Sequence, residues 1–292
     1  MHGFKTYHPI VNFIYFVCVI GFSMLLMHPV TLLISFVGAL GCVYTVKRGK
    51  SFLRAFLWAT AMLLMTATIN PLFSHAGASI IAYFPNGNPL TLESVFFGFG
   101  AGTALGATVL FFSAYNDIMT SDKYIYLFGK IIPSLSLAVS MILRFVPDFI
   151  SRLNEIIKVQ KTLGNDITSG NLIKRAKNAG KMLSILVTWS LENSIQTADS
   201  MKSRGYGMGK RTSYGIFHFD KRDAVALIWI IVMAAVVIFG VFDKGLSYSY
   251  YPLLSIGEFS LLTMAEYTAY FLLCATPIII EAREVYIWKS LR

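Results

Sequence analysis

The chain has 292 residues, of which 55% are hydrophobic and 14% are charged. An ordinary soluble domain carries about 25% charged residues, so this composition excludes a protein that is soluble throughout its length. The formal net charge is +10, but acidic and apolar residues interrupt the basic ones, and no zinc-finger, basic-zipper or RNA-binding signature accompanies them. We therefore expect no nucleic-acid partner. We assign the positive charge to the cytoplasmic side of a membrane, where the loops of membrane proteins carry an excess of Lys and Arg.

Four apolar segments fill the first 116 residues, at 10–27, 30–46, about 53–69 and about 92–115. Each has close to the 17–25 residues that a helix needs to cross the hydrocarbon layer. The segment Lys47–Arg54, between the second and third, holds four positive and no negative charges, whereas residues 70–93 contain no Lys or Arg. The first loop is therefore predicted to be cytoplasmic and the second exterior.

Two further spans are predicted at 224–242 and 261–280, and the tail is basic again. No cleavage site follows the first span, which predicts a retained helix rather than a signal peptide. The fold predicted is an all-α membrane protein with six spans and both termini in the cytoplasm. The domains predicted are 1–116, with four spans, 117–222, a large cytoplasmic insertion of helices, and 223–292, with two spans and a short tail.

The insertion 117–222 carries 16 Lys or Arg and 8 Asp or Glu residues, a net charge of +8. Its apolar part, 131–143, is too short to cross and is predicted to lie under the bilayer or dip into it. A helical run then begins at Arg144-Phe145-Val146-Pro147 and ends at Gly164. A second run from Asn171 to Gly207 carries an apolar stripe that would cross a partner helix, formed by Leu172, Ala176, Ala179, Leu183 and Leu186.

Several polar patterns resemble enzyme or metal sites but lack a required part. Arg48-Gly49-Lys50-Ser51 resembles the end of a phosphate-binding loop, yet Tyr44 stands where the first glycine is needed. Asp117 and Asp122 lie about 140° apart on a helix and would not share a metal. His28, His75 and Asn70 are predicted to cap or border spans, and Cys18, Cys42 and Cys274 to be buried apolar residues. We expect no metal, no cofactor and no catalytic residue in this chain.

Gly98, Gly102 and Gly106 form a small-residue ladder in the fourth span. Small residues let neighbouring helices approach closely in lipid. Two interpretations stay open from the sequence: internal packing within this chain, or a smooth face on which another membrane protein docks.

A set of motifs resembles the transmembrane T component of energy-coupling factor (ECF) transporters. The motifs are Arg144-Phe145-x-Pro147, Glu155, the run from Gln160 to Thr162-Leu163-Gly164, Ala198-x-x-Met201-x-Ser203-Arg204-Gly205-Tyr206-Gly207, Lys210-Arg211-Thr212, and the amino-terminal Tyr7-His8-Pro9 and His28-Pro29. The resemblance covers most of the chain, and its specific part is 144–212.

The resemblance implies a scaffold in a prokaryotic cell membrane with two crossed cytoplasmic coupling helices. Each would end in an Ala-Arg-Gly-like motif that docks on one ATPase subunit, and a small substrate-binding membrane subunit would release vitamins or metal ions. ATP and Mg²⁺ would bind only the ATPase subunits. This chain has Ser203-Arg204-Gly205 in the second motif. The first reads Thr162-Leu163-Gly164, with Leu where the family usually has Arg, so the two ATPase sites are expected to be unequal, which fits two different ATPase subunits or one that is weakly held.

Two other functions remain alternatives from the sequence. A self-contained secondary transporter would carry ionisable residues at mid-membrane depth, and the predicted spans have almost none. An intramembrane transferase would need paired acidic clusters, of which only one candidate is present.

Overall fold

A computed structural model describes residues 3–47, 49–83, 88–129, 133–165, 168, 171–209, 217–243, 245–246, 248–251, 255–256 and 260–290. The helices are α1 Pro9–Leu25, α2 Pro29–Val46, α3 Lys50–Phe73, α4 Leu92–Ile118, α5 Ser121–Gly129, α6 Pro133–Thr162, α7 Leu172–Ser203, α8 Lys221–Phe242 and α9 Leu261–Ser290, preceded by a 3-10 turn at Gly3–Thr6. Two small antiparallel hairpins join β1 (Ile80–Tyr83) to β2 (Pro89–Thr91) and β3 (Tyr248–Ser249) to β4 (Ser255–Ile256). The predicted all-α membrane fold is confirmed.

Five of the described helices are long and apolar enough to cross a membrane: α2, α3, α4, α8 and α9. Helix α1 is also apolar but has 17 residues, the lower end of the length that a span requires. The chain is a multi-pass membrane protein. Because the count of six spans depends on α1, that number stays a prediction.

The chain divides into two compact units, one formed by Met1–Tyr124 with Phe217–Arg292 and the other by Ile125–Ile216. The predicted insertion, 117–222, contains the second unit and a few residues more. Helix α4 continues to Ile118, and α8 already begins at Lys221, so both spans extend beyond the predicted boundaries.

Helices α1 and α2 begin in the same way. His8 and His28 are the N-cap residues, each followed by proline at the first helical position. The His8 Nδ1 accepts from the amide of Ile10, and the His28 Nδ1 accepts from that of Val30, both at 3.3 Å. Proline at this position costs no backbone hydrogen bond, because an N–H at the first helical position has no partner within the helix. The prediction that His28 caps a span is confirmed.

In the first unit, α4 packs against α1, α2 and α3, and α9 packs against α2 and α8. Large aromatic side chains fill the centre, among them Tyr15, Phe16 and Tyr270. The Tyr15 hydroxyl donates to the carbonyl of Cys274 at 3.2 Å. Cys42 and Cys274 are buried free thiols, as predicted, and Cys18 is partly buried.

The amino-terminal residues fasten the ends of three other helices. The buried Asp223, in the first turn of α8, accepts from the His8 amide at 3.1 Å. Arg222 lies over the Tyr7 ring, 4.4 Å from its centroid, and 3.7 Å from the carboxylate of Glu284 in α9. At the start of α5, the buried Lys123 donates to the carbonyl of Lys5 at 2.8 Å.

Candidate functional site

The glycine ladder of α4 is covered by α3. A Cβ added at Gly102 would lie 2.7 Å from the carbonyl oxygen of Leu63, and one at Gly98 or Gly106 would lie 3.2 Å from a carbonyl oxygen of the same helix. The backbones of α3 and α4 therefore meet directly. The three glycines are a contact within this chain, and the interpretation of Gly98, Gly102 and Gly106 as a face for docking a partner is wrong.

Helix α6 holds all three residues expected to shape the first coupling helix, Arg144, Pro147 and Glu155. It begins at Pro133, so the prediction that the helical run begins at Arg144 is wrong, and the apolar residues from Pro133 to Leu143 belong to the same helix. Ile131 and Ile132 lie outside the described residues. Pro147 is accommodated at an exposed position inside the helix, where its missing N–H removes one backbone hydrogen bond.

Helices α6 and α7 contact each other through an aromatic cluster. The Phe149 ring meets the Trp189 ring edge-to-face at 5.7 Å and stacks on Phe145 at 6.1 Å. The Arg152 guanidinium lies 5.0 Å from the centroid of Trp189 and pairs with the Glu155 carboxylate at 2.8 Å. Glu155 therefore orients the Arg152 side chain, which packs on Trp189 of α7.

The apolar stripe predicted only part of the face of α7 that is buried. Leu172 is exposed and Leu183 is 59% exposed, whereas Met182 is 1% exposed and Trp189 is partly buried. Trp189 and Met182 lie seven residues apart, two helical turns, and so share one face. Ala179 and Leu186 of the predicted stripe are partly buried and lie at helical spacing with these two residues, whereas the pattern of small and aliphatic residues did not include Trp189.

The two predicted coupling motifs adopt the same geometry. Helix α6 ends at Thr162 and α7 at Ser203, and the glycines two residues later, Gly164 and Gly205, have φ of +78° and +80°. The amide of Asn165 donates to the Gln160 carbonyl at 2.9 Å, and that of Tyr206 to the Met201 carbonyl at 3.0 Å. These six-residue closures are Schellman motifs, for which glycine is the preferred residue because its φ is positive.

Leu163 and Arg204 are the last residues before those glycines and therefore occupy equivalent positions. Both side chains are exposed, Leu163 to 67%. A helix that ends in this way presents one side chain at its tip, with no Cβ on the following residue to obstruct a partner. One tip is apolar, and the other carries a guanidinium.

Arg204 also lines a cleft of about 820 Å³ between α6 and α7. The α6 side is formed by Leu137, Met141, Arg144, Phe145 and Asp148, and the α7 side by Asn193, Gln196, Thr197, Ser200, Met201 and Arg204. The start of α6 thus lies beside the end of α7, and the two helices are antiparallel. Since Leu137 and Leu163 are 26 residues apart on one helix, the two tips are separated by roughly 40 Å at 1.5 Å per residue.

Glu266 is a buried acidic residue that the sequence motifs did not indicate. It lies in α9, is 2% exposed, and packs against the glycine positions Gly240 and Gly245, where an added Cβ would be within 3 Å of its carboxylate. Neither carboxylate oxygen has a hydrogen-bond partner among the described residues. The sequence feature that could have indicated this site is an acidic residue within the predicted span 261–280.

The sequence is similar to curated transmembrane proteins of ECF transporters. It is 33% identical over 117 residues to the energy-coupling factor transporter transmembrane protein EcfT of Lactobacillus helveticus, covering 40% of this chain and 42% of that protein. It is 36% identical over 103 residues to EcfT of Staphylococcus aureus, covering 35% and 38%. A longer match, 25% identical over 201 residues, covers 64% of this chain and 73% of EcfT 1 of Listeria monocytogenes.

The matched parts of the chain are similar to EcfT proteins. The resemblance to the T component that the motifs predicted is thereby confirmed. No protein-family model matches the sequence. The aligned region spans about two fifths of the length of the first two relatives.

Proposed function

We propose that this chain is the scaffold and coupling subunit of an ATP-driven ECF-type importer. It transmits the motion of two ATPase subunits, one at each helix tip, to a small substrate-binding membrane subunit that takes up vitamins or metal ions. It has no catalytic residue of its own, and ATP and Mg²⁺ bind the ATPase subunits. Both termini and the second unit lie on the cytoplasmic side of a prokaryotic cell membrane.

The observation that carries this proposal is the matched geometry of the two helix ends. Two tips with the same backbone geometry, about 40 Å apart on one helix pair, suit two separate partner subunits better than one. Arg204 carries a guanidinium, whose fork of donors suits a carboxylate. Leu163 offers only apolar surface. The two ATPase contacts are therefore unequal in strength, and the subunits that make them are expected to differ.

The exposed apolar residues of the second unit support a binding role as well. Neither α6 nor α7 qualifies as a span, yet α6 exposes Ile142 and Ile150, and α7 exposes Leu191 and Ile195. An apolar surface on helices outside the membrane-spanning set is typical of a partner or membrane contact. This surface replaces the glycine ladder as the candidate contact for the substrate-binding subunit.

The deciding experiment is a charge reversal at the tip of α7. Arg204→Glu should leave membrane insertion intact but weaken capture of an ATPase subunit at least 30-fold, since loss of one member of a buried charged pair typically costs about 2–5 kcal/mol. Transport in the same membranes should fall with it. Lys181→Glu, the same reversal at an exposed position inside α7, is the matched control. Wild-type capture and transport in Arg204→Glu would refute the coupling role.

Glu266 is the one observation that favours a secondary transporter, because buried acids in spans often carry protons. The chain reconstituted alone in vesicles under a membrane potential would then change the internal pH, and Glu266→Gln would abolish that change. A scaffold subunit gives no pH change in either form. Uptake that requires the ATPase subunits would refute the function as a self-contained secondary transporter.

A further inference from the structure

A polar pocket of about 580 Å³ lies where α2 ends, α3 begins and α4 ends. Its lining residues are Val46, Lys47, Ser51, Arg54, Ala55, Trp58, Ser113 and Asp117. Ser51, the last residue of the tetrad that resembled a phosphate-binding loop in the sequence, lines this pocket. Nothing in the coupling function uses it.

The pocket lining holds two cations and one carboxylate. The Lys47 Nζ donates to the Ser113 Oγ at 2.8 Å and lies 3.6 Å from the Asp117 carboxylate. The Arg54 guanidinium donates to the Ser51 Oγ at 3.4 Å, and no carboxylate pairs with it within the described part of the chain. Its positive charge is therefore available to an anion that enters the pocket.

The amino-terminal end of α3 adds to this positive field. Its N-cap is Gly49, which provides no side-chain cap, and its first turn contains no acidic residue. The first amides of a helix have no partner within the helix, and the helix dipole places partial positive charge there. Here neither a capping side chain nor a carboxylate of the same turn offsets that charge, and the exposed Lys50 increases it.

Beside the pocket, α3 presents a surface suited to lipid. Trp58, one turn after Arg54, is 70% exposed, and Leu53 and Leu57 are exposed on the same helix. Tryptophan is enriched at the level of lipid headgroups, because its ring is apolar and its N–H is polar. A ligand with a phosphate in the pocket and an acyl chain along α3 would contact both kinds of surface.

We propose that this pocket binds the phosphate of an anionic phospholipid headgroup. Lys47, Arg54 and the first amides of α3 bind the phosphate, Trp58 packs at the headgroup level, and an acyl chain lies along the exposed face of α3. Basic pockets between membrane helices are known to take such headgroups. A free phosphate has the same charge, but it gains nothing from Trp58 and the apolar face. The lipid is therefore the source to which the geometry points.

The test is a titration of the delipidated full-length protein in detergent, with bound lipid counted by native mass spectrometry. Phosphatidylglycerol should bind the wild type. Lys47→Gln with Arg54→Gln should weaken binding about 30-fold, because each basic residue contributes about 1 kcal/mol, a factor of about five. The matched control removes two exposed charges at the end of α9, Arg283→Gln with Lys289→Gln. It should bind phosphatidylglycerol as the wild type does.

A second variant separates binding from folding. Ser51→Asp places a carboxylate in the first turn of α3, which favours the helix but repels a phosphate. We expect an unfolding temperature equal to or above that of the wild type, together with loss of the bound lipid. Equal lipid binding in Ser51→Asp and wild type would overturn the proposal. So would equal binding of phosphatidylcholine, or full displacement of the lipid by millimolar inorganic phosphate, which would assign the pocket to the free anion.

Discussion

Leu163 and Arg204 occupy the same position in two copies of one helix-ending motif, each directly before a glycine with φ near +80°. The backbone therefore treats the two ends alike, while the side chains differ in charge. Any difference in the affinity of the two helix ends for their partner subunits must then come from these side chains.

The first prediction restores the missing charge. Leu163→Arg should strengthen capture of the ATPase subunit at the α6 tip about tenfold, because a hydrogen bond to a charged group contributes about 1.5–3 kcal/mol. The measurement is the dissociation constant of the purified subunits. Leu172→Arg, which adds the same charge at the exposed start of α7, should have no such effect. Weaker capture by Leu163→Arg would mean that the partner site at this tip is apolar.

The second prediction concerns the contact of α3 with α4. Gly102→Ala should lower the unfolding temperature of the purified protein, because the new methyl group would lie 2.7 Å from the Leu63 carbonyl, and overpacking costs about 1–3 kcal/mol. Gly21→Ala is the matched control, since Gly21 is also inside an apolar helix, α1, but has open space around its Cβ position. Equal unfolding temperatures for the two variants would contradict the direct backbone contact.

The third prediction concerns the membrane orientation. A cysteine at Asn165 should resist an impermeant thiol reagent in intact cells, and one at Asn88 should react, because of the Lys and Arg asymmetry between the loops. The native cysteines are buried or partly buried and should contribute little background. Labelling at Asn165 from outside would reverse the proposed orientation.

The fourth prediction concerns Lys123. Burial, followed by the charge of Lys5, lowers the pKa of Lys123 from 10.5 to about 8. Between these two values the unfolded chain binds more protons than the folded one, so this residue makes stability rise as pH increases through that range. The unfolding temperature of Lys123→Met should lack the rise between pH 8 and 9.5 that the wild type shows. Parallel pH profiles for the two proteins would show that Lys123 has an ordinary pKa.

The sequence by itself determined the kind of protein and the positions of most helices. Apolar runs of span length are visible locally, as are the His-Pro pairs that begin α1 and α2 and the glycines that end α6 and α7. The reason is physical: hydrophobicity over about 20 residues, the fixed φ of proline and the permitted positive φ of glycine act within one segment. The His-Pro pairs and the glycines at the helix ends are also part of the motifs that resemble the T component.

The tertiary structure decided which faces meet. It showed that the glycines of α4 are covered by α3, that Trp189 contacts α6, and that Pro147 lies within a helix that begins at Pro133. It also brought Lys47, which follows α2, Arg54 of α3 and Asp117 of α4 to one pocket. A small-residue ladder looks the same whether its neighbour belongs to the same chain or to another. Only packing between segments distant in sequence distinguishes the two cases, because in lipid the association of helices depends on close contact rather than on hydrophobicity.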